Sequence, residues 1–342
     1  MMQQISDIHR NKAFALLSLE SPVDLCKLLH IPKPKLESVI NEPIYLLCII
    51  NKKRGGKRTI FAPGWSLKYI QKRLNAHLQA YYLWIKPSEV HGFVLNPRYL
   101  GAPCNIVANA RVHTGKKHVL NIDLKDFFPG ISAKRIKELF TSPYFKFNEQ
   151  IAIALTLLTT YKAILPTGAP TSPVLSNFVC LKLDAELRSF CQKNNLFYTR
   201  YADDLTFSSN IFIPQDTIQN IKQLITANGF EVNEKKVRLQ GSNRKQSVTG
   251  ITVNDKVNVD RKLLKKIRAM LHDITVNGLD VATQRHFKLK DVHDIPLWRN
   301  YLMNRLEGYI NFVGQVRGKD DALYRWLKEC SIEIFRNSYH YE

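Results

Sequence analysis

The residues with the clearest chemical potential are two adjacent carboxylates, Asp203 and Asp204. They stand where two β-rich runs, FYTRYA and LTFSS, meet at a turn. A third carboxylate, Asp123, ends the apolar run HVLNID, which is typical of a buried strand. If the two strands are neighbours, all three carboxylates converge, because a tight turn can aim both members of the pair in one direction. The alternative interpretation is that Asp203 and Asp204 form a solvated hairpin turn.

Three converging carboxylates require cations. Two like charges about 4 Å apart repel each other by about 4 kcal/mol at an effective dielectric constant near 20. A set of oxygen ligands suits Mg²⁺, and two Mg²⁺ ions in one site activate an attacking hydroxyl and stabilise a leaving pyrophosphate. The pattern therefore predicts a two-magnesium site for chemistry of this kind.

A mixed α/β pattern must position these carboxylates. Residues 1–40 are predicted to be helical, with Ser21-Pro22 at one helix start, and residues 44–62 to form two strands around the basic turn NKKRGG. Further helices are predicted at 66–83, 132–140, 148–162, 173–194 and 215–228, and further strands at 118–124, 230–239 and 247–253. From Arg261 onward the pattern is helical and basic, which indicates a separate helical subdomain.

The charge of the 342-residue chain is strongly positive, with 50 Lys and Arg against 29 Asp and Glu, a net charge of +21. The excess is concentrated: residues 43–122 hold thirteen basic residues and a single acid, Glu89. Such segregation indicates a polyanionic partner, although a generally basic protein is the alternative interpretation. The basic residues are not gathered on one amphipathic helix, which disfavours a membrane surface.

Composition excludes several other classes. The longest conspicuous apolar run, Ile44 to Ile50, has seven residues, whereas a membrane span needs about 20. The N-terminal residues lack the apolar core of a signal peptide. The six cysteines form neither a CxxC pair nor a Cys/His cluster, so no zinc site or disulfide framework is indicated. We therefore expect a cytoplasmic protein without a membrane partner.

The order of four motifs resembles the reverse transcriptase family. KRTIFAP at 57–63 is followed by NIDLKDFFPG around Asp123, then by LPTGAPTSPVLSN at 165–177, and then by YADD at 201–204. Two further segments, VANARVH at 107–113 and SVTGITVN at 247–254, are similar to marker motifs of bacterial retron reverse transcriptases. VHGFV at 90–94 and LEGYINFVGQV near the end fit the same family. The resemblance covers roughly residues 20–320.

The resemblance implies a right-hand polymerase of α/β (α+β) class with fingers, a ferredoxin-like palm and a helical thumb. Residues 1–118 would form the N-terminal helices and fingers, 119–258 the catalytic palm with interspersed fingers helices, and 259–342 an RNA-binding thumb. It also makes Asp123, Asp203 and Asp204 the catalytic metal ligands, with the carbonyl of Leu124 as a backbone ligand to one of two Mg²⁺ ions.

The same resemblance assigns residues to the deoxynucleoside triphosphate (dNTP) substrate. Lys57 and Arg58 match the fingers residues that grip the triphosphate, and a basic turn without that role is the alternative. Phe128 matches the aromatic gate that leaves no room for a ribose 2′-hydroxyl, and a core aromatic beside Phe127 is the alternative.

Two other motifs complete the nucleotide site. Gly168 matches the family's motif B, where close backbone approach admits nucleotide and template. Position 167 is Thr where many reverse transcriptases carry Gln, so a shorter contact from Thr167 is expected. Lys235 or Lys236, with Lys236 preferred, matches the lysine that protonates pyrophosphate.

The remaining candidates concern RNA and primer. Val248, Thr249 and Gly250 are expected to support the primer end, whereas Asn109 and His113 are expected to stabilise structure or to hold RNA. The C-terminal helices interleave basic and aromatic residues, which suits an RNA stem-loop, and a solvated amphipathic helix is the alternative. The candidates there are Arg261, Lys265, Lys266, Arg268, Tyr301 and Tyr309.

The function that follows is RNA-templated DNA synthesis. The retron resemblance implies that the enzyme copies part of its own structured noncoding RNA, starting from a guanosine 2′-hydroxyl, into branched RNA-linked single-stranded DNA (msDNA). It further implies antiphage defence together with a separately encoded effector protein. The alternatives are a group II intron-like or diversity-generating reverse transcriptase, a nucleic-acid-binding scaffold without catalysis, and a nucleotide cyclase with a related palm.

Overall fold

The structure, a computed structural model, describes residues 6–51, 55–97, 101 and 103–338. Residues 52–54 of the predicted NKKRGG turn lie outside the described residues. Packing divides the chain into two compact units, one of residues 1–109 and 117–240 and the other of residues 110–116 and 241–342. The division into fingers, palm and thumb stays a prediction, because a compact unit can contain more than one subdomain.

The first unit begins with helices and a hairpin. Its first elements are α1 (Asp7–Leu17), α2 (Pro22–Leu29), α3 (Lys33–Asn41), β1 (Tyr45–Asn51), β2 (Lys57–Pro63) and α4 (Trp65–Ile85). The predicted start of α2 is confirmed, since the Ser21 hydroxyl accepts from the Asp24 N–H and the Asp24 carboxylate accepts from the Ser21 N–H. Strands β1 and β2 pair antiparallel from Asn51 opposite Lys57 to Tyr45 opposite Pro63.

A short helix, α5 (Ile106–Arg111), precedes the central sheet. The elements that follow are β3 (His118–Lys125), α6 (Ala133–Thr141), α7 (Glu149–Thr159), α8 (Ser172–Val179), α9 (Leu181–Lys193), β4 (Phe197–Tyr201), β5 (Asp204–Ser209), α10 (Gln215–Ala227), β6 (Glu231–Val232) and β7 (Arg238–Gly241). The sheet order is β4-β5-β3-β6, and β7 also pairs with β3.

This order is that of a ferredoxin-like βαββαβ sheet. Strand β3 lies at the centre, the β4–β5 hairpin lies on one side of it, and β6 lies on the other side, with each of these neighbouring pairs antiparallel. Apolar side chains of β3 and β5 are buried against helices, and the shared core includes Leu120, Ile122, Leu205 and Phe207. The predicted α/β class and ferredoxin-like palm are confirmed.

Three predicted elements differ from the observed ones. The helix predicted at 173–194 is two helices, α8 and α9, which meet at Cys180. The strand predicted at 230–239 is divided, because a 3₁₀ turn at Glu234–Lys236 separates β6 from β7. The strand predicted at 247–253 is a small hairpin, and positive φ angles at Thr249 (48°) and Gly250 (85°) form its turn.

The second unit is mainly helical. It contains β8 (Ser247–Val248), β9 (Ile251–Thr252), α11 (Arg261–Phe287), α12 (Ile295–Arg317) and α13 (Ala322–Ser338). Helix α11 changes direction at Gly278, whose φ of 81° and ψ of 161° are not helical. Ile267 of α11 and Leu306 and Ile310 of α12 are buried.

No helix in the described part of the chain is long and apolar enough to cross a membrane.

Candidate active site

The three carboxylates predicted from the sequence lie together at one end of the central sheet. Asp123 on β3 is directly opposite Asp204 on β5, and Asp203 occupies the two-residue turn between β4 and β5. The backbone N–H of Leu124 donates to the carbonyl of Asp203 at 3.0 Å, so the turn is attached to the end of β3. Two antiparallel pairings and one backbone hydrogen bond therefore fix the relative positions of all three residues.

Burial and the expected repulsion both act on the carboxylates of the site. Water reaches the side chain of Asp204, but the surrounding protein partly desolvates its carboxylate and raises its pKa to about 6, and the charges of Asp203 and Asp123 contribute. Burial is also the main cause that raises the pKa of Asp203, and Asp123 adds to it. Lys236 and Arg58 act in the opposite direction on Asp203. Lys236 also acts to lower the pKa of Asp204.

Asp123 has protein partners on both carboxylate oxygens. Lys236 Nζ lies 2.7 Å from Oδ1, and Asn233 Nδ2 donates to Oδ2 at 3.2 Å. Among the described residues, no group of three or more His, Cys, Asp or Glu side chains is arranged to hold a metal ion. The carboxylate chemistry suits Mg²⁺, but Lys236 supplies the positive charge at Asp123, and a cation between Asp123 and the Asp pair requires this ammonium to move.

The turn that carries Asp203 depends on a buried arginine that the sequence reasoning missed. Arg200 on β4 is 0% exposed, and its guanidinium donates to Asp184 on α9 through Nε at 2.8 Å and Nη2 at 2.6 Å. Nη1 donates to Asn177 Oδ1 at 2.9 Å and to the carbonyl of Ala202 at 3.2 Å. Ala202 has a φ of 58°, a conformation that costs a residue other than glycine about 1–3 kcal/mol. Arg200 thus holds a strained residue next to Asp203.

The VHGFV segment supports the same turn from the other side. The His91 N–H donates to the Arg200 carbonyl at 3.0 Å, and Asn177 Nδ2 donates to the Gly92 carbonyl at 3.0 Å. A Cβ atom on Gly92 would lie 2.5 Å from the Ala202 nitrogen, so only glycine fits against the turn. The sequence contains one signal of this network, because Arg200 is a charged residue within FYTRYA, a run that is otherwise typical of a β-strand.

The candidate dNTP residues Lys57, Arg58 and Phe128 lie in the first unit, on β2 and in the turn after β3. Lys57 and Arg58 are exposed on β2, and Arg58 is close enough to Asp203 to lower its pKa. Phe128 is only partly buried and contacts Phe127 and Phe93 with ring centroids 5.4 and 5.8 Å apart. Phe127, in contrast, is a core residue. This difference in burial leaves part of the Phe128 ring accessible to a ligand.

Motif B contacts the β1–β2 hairpin directly. Thr167 Oγ1 donates to the Thr59 carbonyl at 2.7 Å. A Cβ atom on Gly168 would lie 2.6 Å from the carbonyl oxygen of Phe61, so glycine is required where this loop crosses β2. In the structure, the close approach at Gly168 is to the protein backbone, and the Thr167 hydroxyl is engaged by β2.

The two marker segments of the retron resemblance meet around Gly115. Its N–H points to the carbonyls of Val253 and Asn254 at 3.1 and 2.7 Å, within the second unit. Asn109, His113 and Val248 are fully buried, and Thr249 and Gly250 form the β8–β9 turn. Of the two expected roles, stabilising structure or holding RNA, the full burial of Asn109 and His113 favours the structural one.

The basic and aromatic candidates of the second unit differ in accessibility. Arg261, Lys265 and Arg268 are exposed on α11. Tyr301 is 58% exposed, whereas the Tyr309 hydroxyl accepts from Arg305 at 3.0 Å and from Lys266 at 3.1 Å. These hydrogen bonds, with that from Arg305 the larger cause, lower the pKa of Tyr309. Tyr301 is therefore the more accessible ring for stacking.

Comparison with known proteins identifies the family. The sequence model described as reverse transcriptase (RNA-dependent DNA polymerase) matches residues 50–253, more than half of the chain. The Ec86 retron reverse transcriptase of Escherichia coli is 30% identical over 81% of this chain and 83% of the relative. Two Myxococcus xanthus relatives, the Mx65 and Mx162 retron reverse transcriptases, are 34% and 31% identical over 67% and 77% of this chain, which spans 55% and 61% of their lengths.

The chain belongs to the reverse transcriptase family, among the bacterial retron reverse transcriptases. A retron reverse transcriptase is an RNA-directed DNA polymerase, and these relatives favour that assignment over the group II intron-like and diversity-generating alternatives. A solved structure of telomerase from Candida albicans with a TWJ fragment of telomeric RNA superposes with a TM-score of 0.50 at 11% identity, over 90% of this chain and 65% of that one. This likeness supports the polymerase fold.

The Arg200 network gives a stability prediction. Replacing Arg200 with Met leaves the Asp184 carboxylate buried without its cation, and the loss of one partner of a buried ion pair costs about 3–5 kcal/mol. We expect the urea midpoint of the retron reverse transcriptase to fall accordingly when unfolding is followed by circular dichroism.

Two further variants separate this effect from a general loss of charge. Arg188→Met on α9 removes an exposed guanidinium 3.8 Å from Glu89 and should cost less than about 1 kcal/mol. The double variant Arg200→Met with Asp184→Leu should regain part of the lost stability, because no buried charge remains although the Tyr198 hydroxyl loses its acceptor. Its DNA synthesis should be lower than that of the wild type, because the Ala202 carbonyl has lost its donor. Wild-type stability of the single Arg200→Met variant would contradict the account.

Proposed function

We propose that this RNA-directed DNA polymerase copies part of its own structured noncoding RNA into branched, RNA-linked single-stranded DNA, using Asp123, Asp203 and Asp204 as its catalytic carboxylates. The observation that carries the proposal is the fixed position of Asp203, attached to β3 by the Leu124 N–H, beside the directly opposed pair Asp123 and Asp204. The retron relatives support the RNA template and the product class.

The proposed cofactor is a pair of Mg²⁺ ions held by the three carboxylates and the Leu124 carbonyl. Bound there, the ions would activate the attacking hydroxyl and stabilise the charge of the leaving pyrophosphate. Lys236 contacts Asp123 through a half-exposed side chain, so its ammonium can leave the carboxylate and donate a proton to pyrophosphate. Lys235 and Lys236 both lie in the 3₁₀ turn, and Lys236 is the one that contacts Asp123.

The dNTP would lie between β2 and the end of β3. Arg58 offers a planar fork and Lys57 a compact charge to the triphosphate. The partly accessible ring of Phe128 would lie under the sugar and exclude a ribose 2′-hydroxyl. Gly168 and Thr167 would contribute indirectly, because both fix the motif B loop against β2.

The noncoding RNA would bind the basic helices of the second unit. Arg261, Lys265 and Arg268 are exposed on α11 and suit phosphates, and Tyr301 on α12 suits an unpaired base. We further propose priming from a guanosine 2′-hydroxyl, action in the cytoplasm, and a role in antiphage defence with a separately encoded effector. This part of the proposal is supported by the resemblance to retron enzymes.

The metal site gives the first test of the proposed function. Replacing Asp203 and Asp204 together by Asn should abolish DNA synthesis on an RNA template, because the amides cannot replace the anionic ligands of Mg²⁺. RNA affinity should be kept, since removing two negative charges cannot weaken attraction to phosphate. Primer extension and RNA binding are measured on the same preparation, with Asp216→Asn, an exposed acid on α10, as the control. DNA synthesis at the wild-type rate by the double variant would refute the assignment.

The sugar gate gives a second test. Replacing Phe128 by Ala should lower the ratio of kcat/KM for a dNTP to that for the matching ribonucleotide by about 10- to 200-fold, the range typical of one pocket contact. Phe212→Ala, which removes an exposed aromatic ring elsewhere in the first unit, should leave the ratio unchanged. A ratio within twofold of wild type in the Phe128→Ala variant would show that Phe128 acts only in packing.

A further inference from the structure

Helix α4 carries a row of side chains that the catalytic site does not use. Trp65, Tyr69 and Arg73 follow at intervals of four residues and therefore lie on one face of the helix. The rings of Trp65 and Tyr69 are parallel to within 14°, with centroids 5.9 Å apart. Arg73 Nη1 donates to the Tyr69 hydroxyl at 2.7 Å. We call these three residues the α4 row.

The α4 row presents an aromatic surface to solvent. Trp65 is 82% exposed, whereas the opposite side of α4 buries Leu67, Ile70 and Leu74 in the core. Tyr69, oriented by its hydrogen bond to Arg73, supports the indole from one side. The indole is thus held in place without being buried, and a planar ligand can extend the stack from its open side.

The charge around the α4 row suits a polyanion. Lys68 and Lys72 are exposed beside the row, and α4 contains no acidic residue. At 3.6 residues per turn, the two lysines and the row fit within an arc of about 140°. Basic side chains beside stacked aromatic rings form the pattern that binds single-stranded nucleic acid, with phosphates on the cations and bases on the rings.

The base that stacks on Trp65 must be unpaired. Bases within a duplex have both faces covered by their neighbours, and for an enzyme that copies RNA the unpaired strand is the template still to be copied. The α4 row lies in the same unit as the catalytic carboxylates, and only Gly64 separates α4 from β2. Lys57 lies at the far end of β2, about 20 Å away for a seven-residue strand.

We propose that the α4 row binds the uncopied, single-stranded segment of the RNA template, with one base stacked on the Trp65 indole and the adjacent phosphates at Lys68 and Lys72. The proposal rests on the proposed function, because it takes RNA copying as given. It adds a template site on the helix that follows the dNTP-gripping strand, separate from the RNA-binding helices of the second unit.

The test compares two DNA-primed RNA templates that differ only in a 5′ single-stranded oligouridine overhang on the RNA. Binding to the full-length protein is measured without dNTPs, so the result does not depend on catalysis. Trp65→Ala should weaken binding of the overhang substrate by about 5- to 150-fold, the loss expected for one stacked base. It should change binding of the blunt substrate less than twofold, and Trp65→Phe should restore most of the affinity for the overhang.

The matched control is Trp84→Ala, near the other end of α4. Trp84 is also partly exposed and contacts Phe14 with centroids 5.4 Å apart, so this variant reports any general effect of removing a tryptophan from the helix. It should leave the preference for the overhang unchanged. The double variant Lys68→Gln with Lys72→Gln should reduce the salt slope of oligouridine RNA binding by about 1.4, or about 0.7 for each phosphate contact.

Two outcomes overturn the proposal. If Trp65→Ala weakens both substrates equally, the α4 row does not select an unpaired strand. If the variant binds both substrates like wild type, the exposed indole serves another partner, such as a protein. Either result leaves the proposed function intact when the wild-type enzyme makes DNA on the same templates, whereas failure of the wild type to make DNA would refute the proposed function instead.

Discussion

Mutual repulsion among Asp123, Asp203 and Asp204 is the constraint around which the central sheet is organised. Asp123 on β3 lies directly opposite Asp204 on β5, and the β4–β5 turn adds Asp203. The pKa values of Asp203 and Asp204 are raised, first by burial of the carboxylates and then by this repulsion. Lys236 lies on Asp123 and offsets part of the repulsion, and a metal ion bound by Asp123 would have to compete with this contact. The fold therefore stabilises a geometry that the charges alone would oppose.

The rigidity that this geometry needs comes from the buried guanidinium of Arg200. Arg200 connects α8, α9 and the turn that carries Asp203 through Asn177, Asp184 and the carbonyl of Ala202. An arginine with no exposed surface is costly to desolvate, and its bidentate pair with Asp184 offsets much of that cost. The planar guanidinium of Arg200 has five N–H donors and reaches three acceptor residues at once. A lysine ammonium cannot do this, so lysine cannot replace Arg200 here. We regard Arg200 as a positioning residue, since it acts through the turn that carries Asp203.

The sequence was most informative where local pattern and chemistry agree. The carboxylate pair at a β-turn, the buried strand that ends at Asp123, and the capped start of α2 are all local signals, and the structure has each of them. Partners distant in sequence were harder to predict, because no local pattern links Arg200 to Asp184 or Gly92 to Ala202. The division of 173–194 at Cys180 escaped prediction because the apolar pattern continues through the break. The Thr249-Gly250 turn was missed because its flanking residues are β-formers, which favoured one continuous strand.

The most direct test of the central claim is to locate the metal on the polypeptide itself. Fe²⁺ in place of Mg²⁺, with ascorbate and peroxide, generates hydroxyl radicals that cleave the backbone next to the bound ion, and mass spectrometry identifies the cleaved positions. Our account predicts cleavage near Asp123 and near Asp203–Asp204 in the wild-type enzyme, suppressed by excess Mg²⁺ and lost when Asp203 and Asp204 are both replaced by Asn. Cleavage only at other positions, or cleavage at these positions that persists in the double variant, would contradict it.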